Sequence, residues 1–358
     1  MSLSIPVVWS DAHRLHEPGG EIWVGVRTPG TEVPGRAEAI REALAAAGAP
    51  LVAAQAHDDA CVEAVHDRSL LRFLAGAWDA WEAAGLPGDP GQDRVVPYIF
   101  PLPGLLSGRQ PLEPAATWAR AGRYCFDTMT LIGPGTWQAA RAAADAALTA
   151  ADLVAGGARA AYACCRPPGH HVTRTVYGGS CYLNNAAIAA ARLRERGAGR
   201  VGIVDIDAHH GNGAQEIFWD RGDVLTGSVH VDPATGWFPH FLGTADERGA
   251  GEGSGANLNV PLPPGAGDAD WVRAVAGLAQ AARNHGAEAL VLALGVDAAG
   301  GDPESPLQVT AAGYREAGRL LGAHGLPVVV VQEGGYDLAS IGGLVLAALE
   351  GLEEGSNA

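Results

Sequence analysis

The chain has 358 residues, and its 40 Asp and Glu against 24 Lys and Arg give a formal net charge of −16 with neutral histidines. Such an acidic chain without clustered Lys and Arg offers no surface for tracking phosphates, which argues against nucleic-acid binding. Hydrophobic residues make up 47% of the chain, enough for a sizeable core, so an intrinsically disordered protein is excluded. The 50 glycines follow no fixed period, which excludes a collagen-like structure.

The cysteines and the lengths of the apolar segments indicate where in the cell the protein is located. The five cysteines are odd in number and show no C-x-x-C spacing, so neither a disulfide framework nor a four-cysteine zinc site is expected. The first ten residues lack a basic segment followed by a long apolar stretch, and no signal peptide is predicted. Apolar runs such as 289–294 and 327–331 are far shorter than a membrane span. We therefore predict a cytoplasmic protein that does not associate with membranes.

The first third of the chain mixes helical segments with long loops. A short apolar strand is expected at 7–9, followed by a loop rich in Pro and Gly at 17–35. Helical spacing closed by Gly and Pro predicts helices over 36–47 and 58–84. Segment 88–114 is dense in Pro and Gly and is predicted to lack regular structure. So long a connection is usually a functional or interface loop, the alternative being a tolerated surface insertion.

From residue 136 onward, apolar strands and helices alternate. Strands that are continuous apolar runs separated by helices indicate a mostly parallel sheet covered on both faces. No change in composition interrupts the series, so we predict one α/β domain over residues 1–358. The predicted strands are 160–165, 200–206, 224–231, 257–260, 289–294 and 327–332, and the predicted helices are 137–155, 184–197, 213–219, 268–285, 310–323 and 341–352.

Polar residues that carry chemistry follow directly after four of these strands. Ligands of open α/β sheets bind beyond the carboxyl ends of the strands, so these residues are expected at one edge of the sheet. The four segments are Arg-Pro-Pro-Gly-His-His at 166–171, Asp-Ile-Asp-Ala-His-His-Gly-Asn-Gly at 205–213, Gly-Val-Asp at 295–297 and Glu-Gly-Gly-Tyr at 333–336.

A metal site is expected among these segments. Asp207 and His209 point the same way if their backbone is extended, and Asp297 from another strand end would complete the set. Two aspartates and one histidine leave an open position, which is typical of catalytic metal sites. The mixed oxygen and nitrogen donors admit Zn²⁺, Fe²⁺, Mn²⁺ or Co²⁺. The alternative is that Asp207 caps the following helix and His209 packs in a loop.

Acid–base and oxyanion groups are also candidates. Imidazole titrates near neutral pH, so His170 and His171 form a natural acid–base pair. Tyr336 follows two glycines that let the backbone bend, so its hydroxyl can point at a metal-bound carbonyl. A lone His-His pair or a lone Tyr after Gly-Gly is more often structural, and it is their place at strand ends that favours a function.

Together these motifs resemble those of the metal-dependent deacetylases, the family of histone deacetylases and acetylpolyamine amidohydrolases. The match extends in the family's order over about 130–345 and includes the Gly-Gly pair at 178–179 and the Asn-Asn pair at 184–185. Segments 133–137 and 238–243 are more similar to the bacterial acetylpolyamine amidohydrolase branch. So is insertion 88–114, which in that branch narrows the active-site mouth and helps to form a homodimer. The resemblance implies an arginase–deacetylase-like fold.

The resemblance also implies a mechanism. His170 or His171 would remove a proton from the water that attacks the amide carbonyl. Tyr336 and the metal would stabilise the oxyanion, and His171 would protonate the leaving amine. Arg36 matches an arginine of the family's acetate-exit channel. The implied ligands of Zn²⁺ are Asp207, His209 and Asp297.

Supporting groups follow from the same resemblance. Asp205 would orient His170, and Asn212 would sit behind His171. Some relatives have an acid in place of Asn212, so His171 should be held less strongly as imidazolium here. The family also carries a structural K⁺ near the zinc. Its implied ligands in this chain are the main-chain oxygens of Asp205, Asp207 and His209, with Ser228 and Val229.

The substrate channel departs from the family's pattern at two positions. The family's tunnel has two aromatic walls, of which Phe238 matches one, while the position after Gly179 is Ser180. An acid that attracts cationic tails in the polyamine branch is replaced by Met129, although Glu21 matches a second acid near the mouth. Losing an anion weakens the case for a polycationic substrate. The net charge still steers cations, in a salt-screened way.

We therefore predict a zinc amidohydrolase that removes an acetyl or similar small acyl group from an amine-bearing small molecule, with reduced preference for long polyamines. One alternative is a protein lysine deacetylase, against which insertion 88–114 counts because a bulky protein must approach the tunnel. Another is a non-catalytic metal-binding sensor or scaffold, whose mark would be a lost ligand or a lost Tyr. Ureohydrolases share the fold but need a two-manganese ligand set that this chain does not show.

Overall fold

An eight-stranded sheet forms the centre of the computed structural model, which describes residues 2–357. All its neighbouring strands pair in parallel, in the order β4-β1-β5-β10-β9-β6-β7-β8, and β2 and β3 form a separate antiparallel hairpin. The strands are β1 (Val7–Trp9), β2 (Glu21–Trp23), β3 (Val26–Thr28), β4 (Leu51–Ala53), β5 (Ala160–Ala163), β6 (Val201–Asp205), β7 (Val224–Val231), β8 (Asn257–Leu262), β9 (Ala289–Leu294) and β10 (Val328–Gln332).

Helices cover both faces of this sheet. They are α1 (Gly35–Ala46), α2 (Ala60–Val65), α3 (Arg68–Ala83), α4 (Pro103–Leu106), α5 (Thr117–Tyr124), α6 (Thr136–Ala155), α7 (Asn185–Glu195), α8 (Asn212–Ile217), α9 (Asp268–His285), α10 (Ala311–Ala323) and α11 (Ile341–Ser356). None of the helices within the described part of the chain is both long and apolar enough to cross a membrane.

The continuous apolar strands explain why there are two cores. Side chains alternate between the faces of a strand, so Val291 in β9 packs with α6 and α7, while the next residue, Leu292, packs with α9 and α11. Both faces of β9 are buried, which requires apolar residues at every position. The α/β fold class predicted from this pattern is confirmed.

The structure differs from the prediction of one helix over 58–84. Two helices, α2 and α3, are separated there at His66 and Asp67, whose backbones are extended. The Asp67 carboxylate accepts a hydrogen bond from the amide of Ser69 and so begins a new helix. Its own amide donates to the carbonyl of Arg174, which ties the break to a neighbouring loop.

Several short elements were not predicted. Strands β2, β3 and β4 have three residues each, too few for a visible period of two, and α5 lies just beyond segment 88–114. Within that segment the single-turn helix α4 is the one regular element among the described residues. Because all strands of the central sheet run in one direction, the four motif-bearing loops emerge at one edge.

Candidate active site

The loops after β5, β6, β9 and β10 meet at the base of a pocket of about 480 Å³. Its base includes side chains from the predicted catalytic and metal sets, namely His171, His209 and Tyr336. Four predicted substrate-binding residues, Gly179, Ser180, Phe238 and Met129, line its walls, and Glu21 from β2 lies among its outer residues. The structure therefore brings the predicted catalytic, metal-binding and substrate-binding side chains together in one pocket, although they are far apart in the chain.

The predicted metal ligands form one buried group. Their donor atoms, from Asp207, His209 and Asp297, all lie within 4.8 Å of one another. Nδ1 of His209 is 3.2 Å from Oδ1 of Asp207 and 3.1 Å from Oδ2 of Asp297. Strand β6 ends at Asp205, so a turn and not an extended backbone brings Asp207 and His209 together.

Backbone amides hold these carboxylates in place. Asp207 accepts from the amides of His209 at 2.9 Å and Gly334 at 2.7 Å, and Asp297 accepts from the amide of Ala208 at 2.8 Å. Asp207 therefore does not cap α8, whose capping residue Gly211 precedes it without a side-chain bond. A Cβ at Gly334 would collide with the carboxylates of both Asp207 and Asp297.

The charges of this group suit a divalent cation. Burial and the nearby Asp207 carboxylate raise the pKa of Asp297 to about 7, because two anions in a dry site repel each other. An ion held between the two carboxylates and the imidazole of His209 would relieve that repulsion. Oxygen and nitrogen donors of this kind fit Zn²⁺ and also Fe²⁺, Mn²⁺ or Co²⁺.

The two adjacent histidines have different electrostatic surroundings. Nδ1 of His170 lies 2.9 Å from Oδ2 of Asp205, and Nδ1 of His171 lies 2.6 Å from Oδ1 of Asn212. Burial opposes protonation of His170, but the carboxylates of Asp207 and Asp205 raise its pKa to about 10. Burial and the charge of the neighbouring His170 keep the pKa of His171 well below 6.5. A cation beside Asp207 would remove part of the shift on His170.

The wall of the pocket is built closely around His171. Its ring lies edge-on to Phe238, with 4.8 Å between ring centroids. On another side lies Gly179, which has a φ of +60° and where a Cβ would collide with the imidazole. The amide of Gly179 donates to the carboxylate of Asp127 at 2.6 Å, so the turn that carries Gly179 and Ser180 is held in place.

Tyr336 and Arg36 are neighbours behind the pocket. The Arg36 guanidinium lies 4.7 Å from the centroid of the Tyr336 ring and donates to the carbonyls of Gly335 at 2.5 Å and Glu333 at 2.6 Å. Arg36 is buried and pairs with Glu32 at 3.0 Å. It does not line the main pocket, so its contacts are with the loop that carries Tyr336.

Three of the predicted potassium ligands, Asp205, Ser228 and Val229, lie on adjacent strands, and Asp207 and His209 follow directly after β6. Asp205 at the end of β6 is opposite Ser228 in β7, and Val229 is the next buried residue. The Ser228 hydroxyl lies 2.8 Å from Nδ1 of His230 and accepts from the amide of Gly211 at 3.3 Å. A small cavity of about 10 Å³ lies beside Asp205 and Ser228.

A second acid lines this pocket that was not predicted from the sequence. Glu304, in the loop between β9 and α10, lines the pocket together with Glu21 and accepts a hydrogen bond from the Thr31 hydroxyl at 2.9 Å. Burial and the carboxylates of Glu304 and Asp127 raise the pKa of Glu21 to about 7. The signal in the sequence that could have identified Glu304 is its position seven residues after Asp297, beyond the same strand.

Comparison with known proteins agrees with this geometry. The histone deacetylase domain matches residues 30–352. The chain is 42% identical to an acetylpolyamine amidohydrolase of Mycoplana ramosa over 97% of this chain and 99% of that protein. It is 44% identical to one of Burkholderia pseudomallei (strain 1710b) over 91% and 92% of the two chains.

A solved structure gives the same result at the level of the fold. The crystal structure of an acetylpolyamine aminohydrolase from Burkholderia pseudomallei superposes with a TM-score of 0.92 at 40% identity, over 98% of this chain and 99% of that one. The predicted resemblance is thereby confirmed. With this likeness extending over its whole length and the family's motifs gathered at one pocket, the chain belongs to the histone deacetylase family of hydrolytic deacetylases.

Proposed function

We propose that the protein removes the acetyl group from acetylated amines of low molecular weight that carry a second, positively charged amine. The observation that carries this proposal is the pair of carboxylates, Glu21 and Glu304, at the outer part of the pocket. The candidate metal ligands lie at the base of the same pocket. The names of its relatives, which are acetylpolyamine amidohydrolases, support the same substrate class.

One divalent cation, which we propose to be Zn²⁺, would bind to the three candidate ligand residues at the base of the pocket. When bound, this ion supplies Lewis-acid polarisation of the amide carbonyl and of the attacking water. The chain's own contribution is a fixed donor set, since backbone amides already orient both carboxylates. The residues that would hold it are Asp207, His209 and Asp297.

Proton transfer is assigned to His171. Its Nδ1 donates to Oδ1 of Asn212, so its Nε2 carries the free lone pair, and its depressed pKa keeps the ring neutral before reaction. His171 therefore accepts a proton from the attacking water and returns it to the leaving amine. The carboxylate of Asp205, 2.9 Å from Nδ1 of His170, favours the charged form of that ring, which would stabilise the developing negative charge.

Tyr336 is assigned to the oxyanion. Its side chain lines the base of the pocket, and burial raises the pKa of its phenol well above 10, so the hydroxyl stays protonated. A protonated hydroxyl donates a hydrogen bond to the negative oxygen that forms from the carbonyl. Arg36, against the ring of Tyr336, holds the loop in which this residue lies.

The mouth of the pocket recognises charge. Glu21 and Glu304 both face it, and the aromatic side chains of Trp23 and Phe238 line the same pocket. Carboxylates and aromatic faces attract an ammonium group, and the cation is partly desolvated there. Glu304 thus compensates for Met129, which stands where the polyamine branch has an acid.

A matched substrate pair tests the proposal. N-Acetyl-1,4-diaminobutane and N-pentylacetamide have similar length, but only the first carries an ammonium group, and acetate release from each is measured with Zn²⁺-loaded enzyme. We expect the charged amide to have the higher kcat/KM, and Glu21→Gln with Glu304→Gln to remove the difference. Equal kcat/KM for the two amides in the wild type would contradict the proposal.

A protein lysine deacetylase stays as the second candidate function, because the family contains histone deacetylases. An acetyl-lysine peptide that outcompetes every free acetylated amine would favour it. Acetylspermine in the same panel tests whether Met129 and Ser180 reduce the preference for long polyamines. A non-catalytic sensor is disfavoured because all three predicted metal ligands and Tyr336 lie together at the pocket.

We also propose that K⁺ binds beside Asp205. The ligands would be the main-chain oxygens of Asp205, Asp207 and His209, the Ser228 hydroxyl and the Val229 carbonyl. The adjacency of Asp205 and Ser228 on paired strands supports this site. Exchange of K⁺ for Na⁺ at constant ionic strength is expected to lower the midpoint of thermal unfolding, and an unchanged midpoint would count against it.

A homodimer through segment 88–114 is proposed as well. Its apolar side chains Tyr98, Leu102, Leu105 and Leu112 are 64–88% exposed, which is unusual for so many large apolar groups in one segment. Sedimentation of the wild type is expected to give a dimer, and sedimentation of the variant Leu102→Glu/Leu105→Glu is expected to give a monomer.

A cytoplasmic location is supported by the five cysteines, all of which are unpaired and buried.

A further inference from the structure

Asp302 belongs to the loop after β9 and bonds to the loop after β10. Its Oδ2 accepts hydrogen bonds from the amides of Tyr336 at 2.8 Å and Asp337 at 3.3 Å. Its Oδ1 accepts from the amide of Glu304 at 3.0 Å. The residue is only 8% exposed, so water competes little for these bonds. One carboxylate thus touches the backbones of two pocket residues with different tasks.

The two tasks are at opposite ends of the pocket. Tyr336 provides the hydroxyl at the base, and Glu304 provides the carboxylate at the outer part, where Thr31 also holds it. Both residues belong to loops, which are less rigid than the strands they follow. Without a common anchor, the two loops could shift independently. Asp302 makes the position of one depend on the position of the other.

We propose that Asp302 is a positioning residue that couples recognition of the substrate's cationic end to the placement of the Tyr336 hydroxyl. The inference rests on the proposed function of the same pocket. When Glu304 binds an ammonium group, its backbone is fixed, and through Asp302 so is the backbone of Tyr336. Binding energy from the non-reacting end of the substrate thereby serves the reacting end and raises kcat as well as lowering KM.

Asp302→Asn tests this coupling. Asparagine has the same shape, but one oxygen becomes an NH₂ group, which cannot accept from an amide. The remaining oxygen can accept a hydrogen bond from the backbone amide of either Glu304 or Tyr336. The other backbone amide then faces the NH₂ group, which is also a donor. We expect kcat on N-acetyl-1,4-diaminobutane to fall about tenfold. The kcat ratio between that amide and N-pentylacetamide should fall to about one.

Asp268→Asn is the matched control. Asp268 anchors the far end of the same loop, where its carboxylate accepts from the amide and the hydroxyl of Thr310, each at 2.7 Å. It has no contact with Tyr336 or Glu304. A general loosening of the loop would affect both variants alike, whereas the coupling predicts that Asp268→Asn keeps the wild-type kcat ratio. Identical kinetic profiles for the two variants would overturn the inference.

Two further comparisons keep the inference testable if Asp302→Asn does not fold. In Glu304→Gln, kcat on the charged amide should fall while kcat on the neutral amide stays unchanged; a change in KM alone would contradict the coupling. In a Tyr336→Phe background, Asp302→Asn should lower kcat no further. If the wild type shows no preference for the charged amide, the proposed function fails, yet the cycle with Tyr336 still decides whether Asp302 positions that residue.

Discussion

The base and the mouth of the pocket are built in different ways. At the base, Asp207, His209 and Asp297 follow the ends of core strands and are at most 9% exposed, and backbone amides donate to both aspartates. At the mouth, Glu21 and Glu304 lie on a short hairpin and a loop and are partly exposed. The base therefore determines the reaction, and the mouth determines the substrate. Apart from Glu304, which Asp302 joins to Tyr336, residues of the two regions should have separable kinetic effects when mutated.

The largest effect is expected at the base, for His171→Ala. Without the imidazole no group takes the proton from the water or returns it to the amine, so kcat should fall about 10³-fold. The control is His285→Ala, at the end of α9 away from this edge of the sheet, with unchanged activity. Equal metal content in both variants excludes a loss of the ion, and wild-type kcat in His171→Ala would refute the assignment.

Tyr336→Phe sharpens the same side of the comparison. The phenyl ring keeps its packing against Arg36 but cannot donate to the oxyanion. We expect kcat to fall about 10²-fold, with KM little changed, because the lost bond forms in the transition state. Steady-state kinetics should show a loss in kcat on both amides, and a larger loss on the charged amide, whose advantage in kcat depends on the position of the Tyr336 hydroxyl. A change confined to KM would place Tyr336 in substrate binding instead.

At the mouth, Glu21→Gln should change binding and leave the chemistry intact. A partly exposed carboxylate contributes on the order of 1 kcal/mol to an ion pair, so KM for the charged amide should rise about fivefold. Its kcat, and both constants for N-pentylacetamide, should be unchanged. A fall in kcat on the neutral amide would show that the mouth and the base are not separable as described.

The smallest effect is a pH dependence confined to the mouth. The pKa of Glu21 is raised to about 7, so the group is neutral below that pH and negatively charged above it. KM for the charged amide should therefore decrease severalfold as the pH rises through 7, while KM for the neutral amide stays constant. Glu21→Gln should abolish the difference between the two profiles, and its persistence in that variant would assign it to another group.

The same division explains which features the sequence could predict. The continuous apolar runs in β6, β9 and β10 identify buried parallel strands, and the polar residues that follow these runs are bound to meet at one edge. Glu304 was missed because it lies ten residues beyond the end of β9, where only the folded loop brings it back to the pocket. The break between α2 and α3 was missed because it depends on a bond to the distant Arg174.

The central claim is that one divalent cation, held by Asp207, His209 and Asp297, is required for deacetylation. The most direct test measures the metal content of the purified protein and of Asp297→Asn together with acetate release, before and after chelation and on addition of Zn²⁺. We expect about one equivalent of bound metal in the wild type, whose activity is lost when the metal is removed and is restored by Zn²⁺. The variant is expected to show neither bound metal nor activity. Full activity in the metal-free protein would contradict the account.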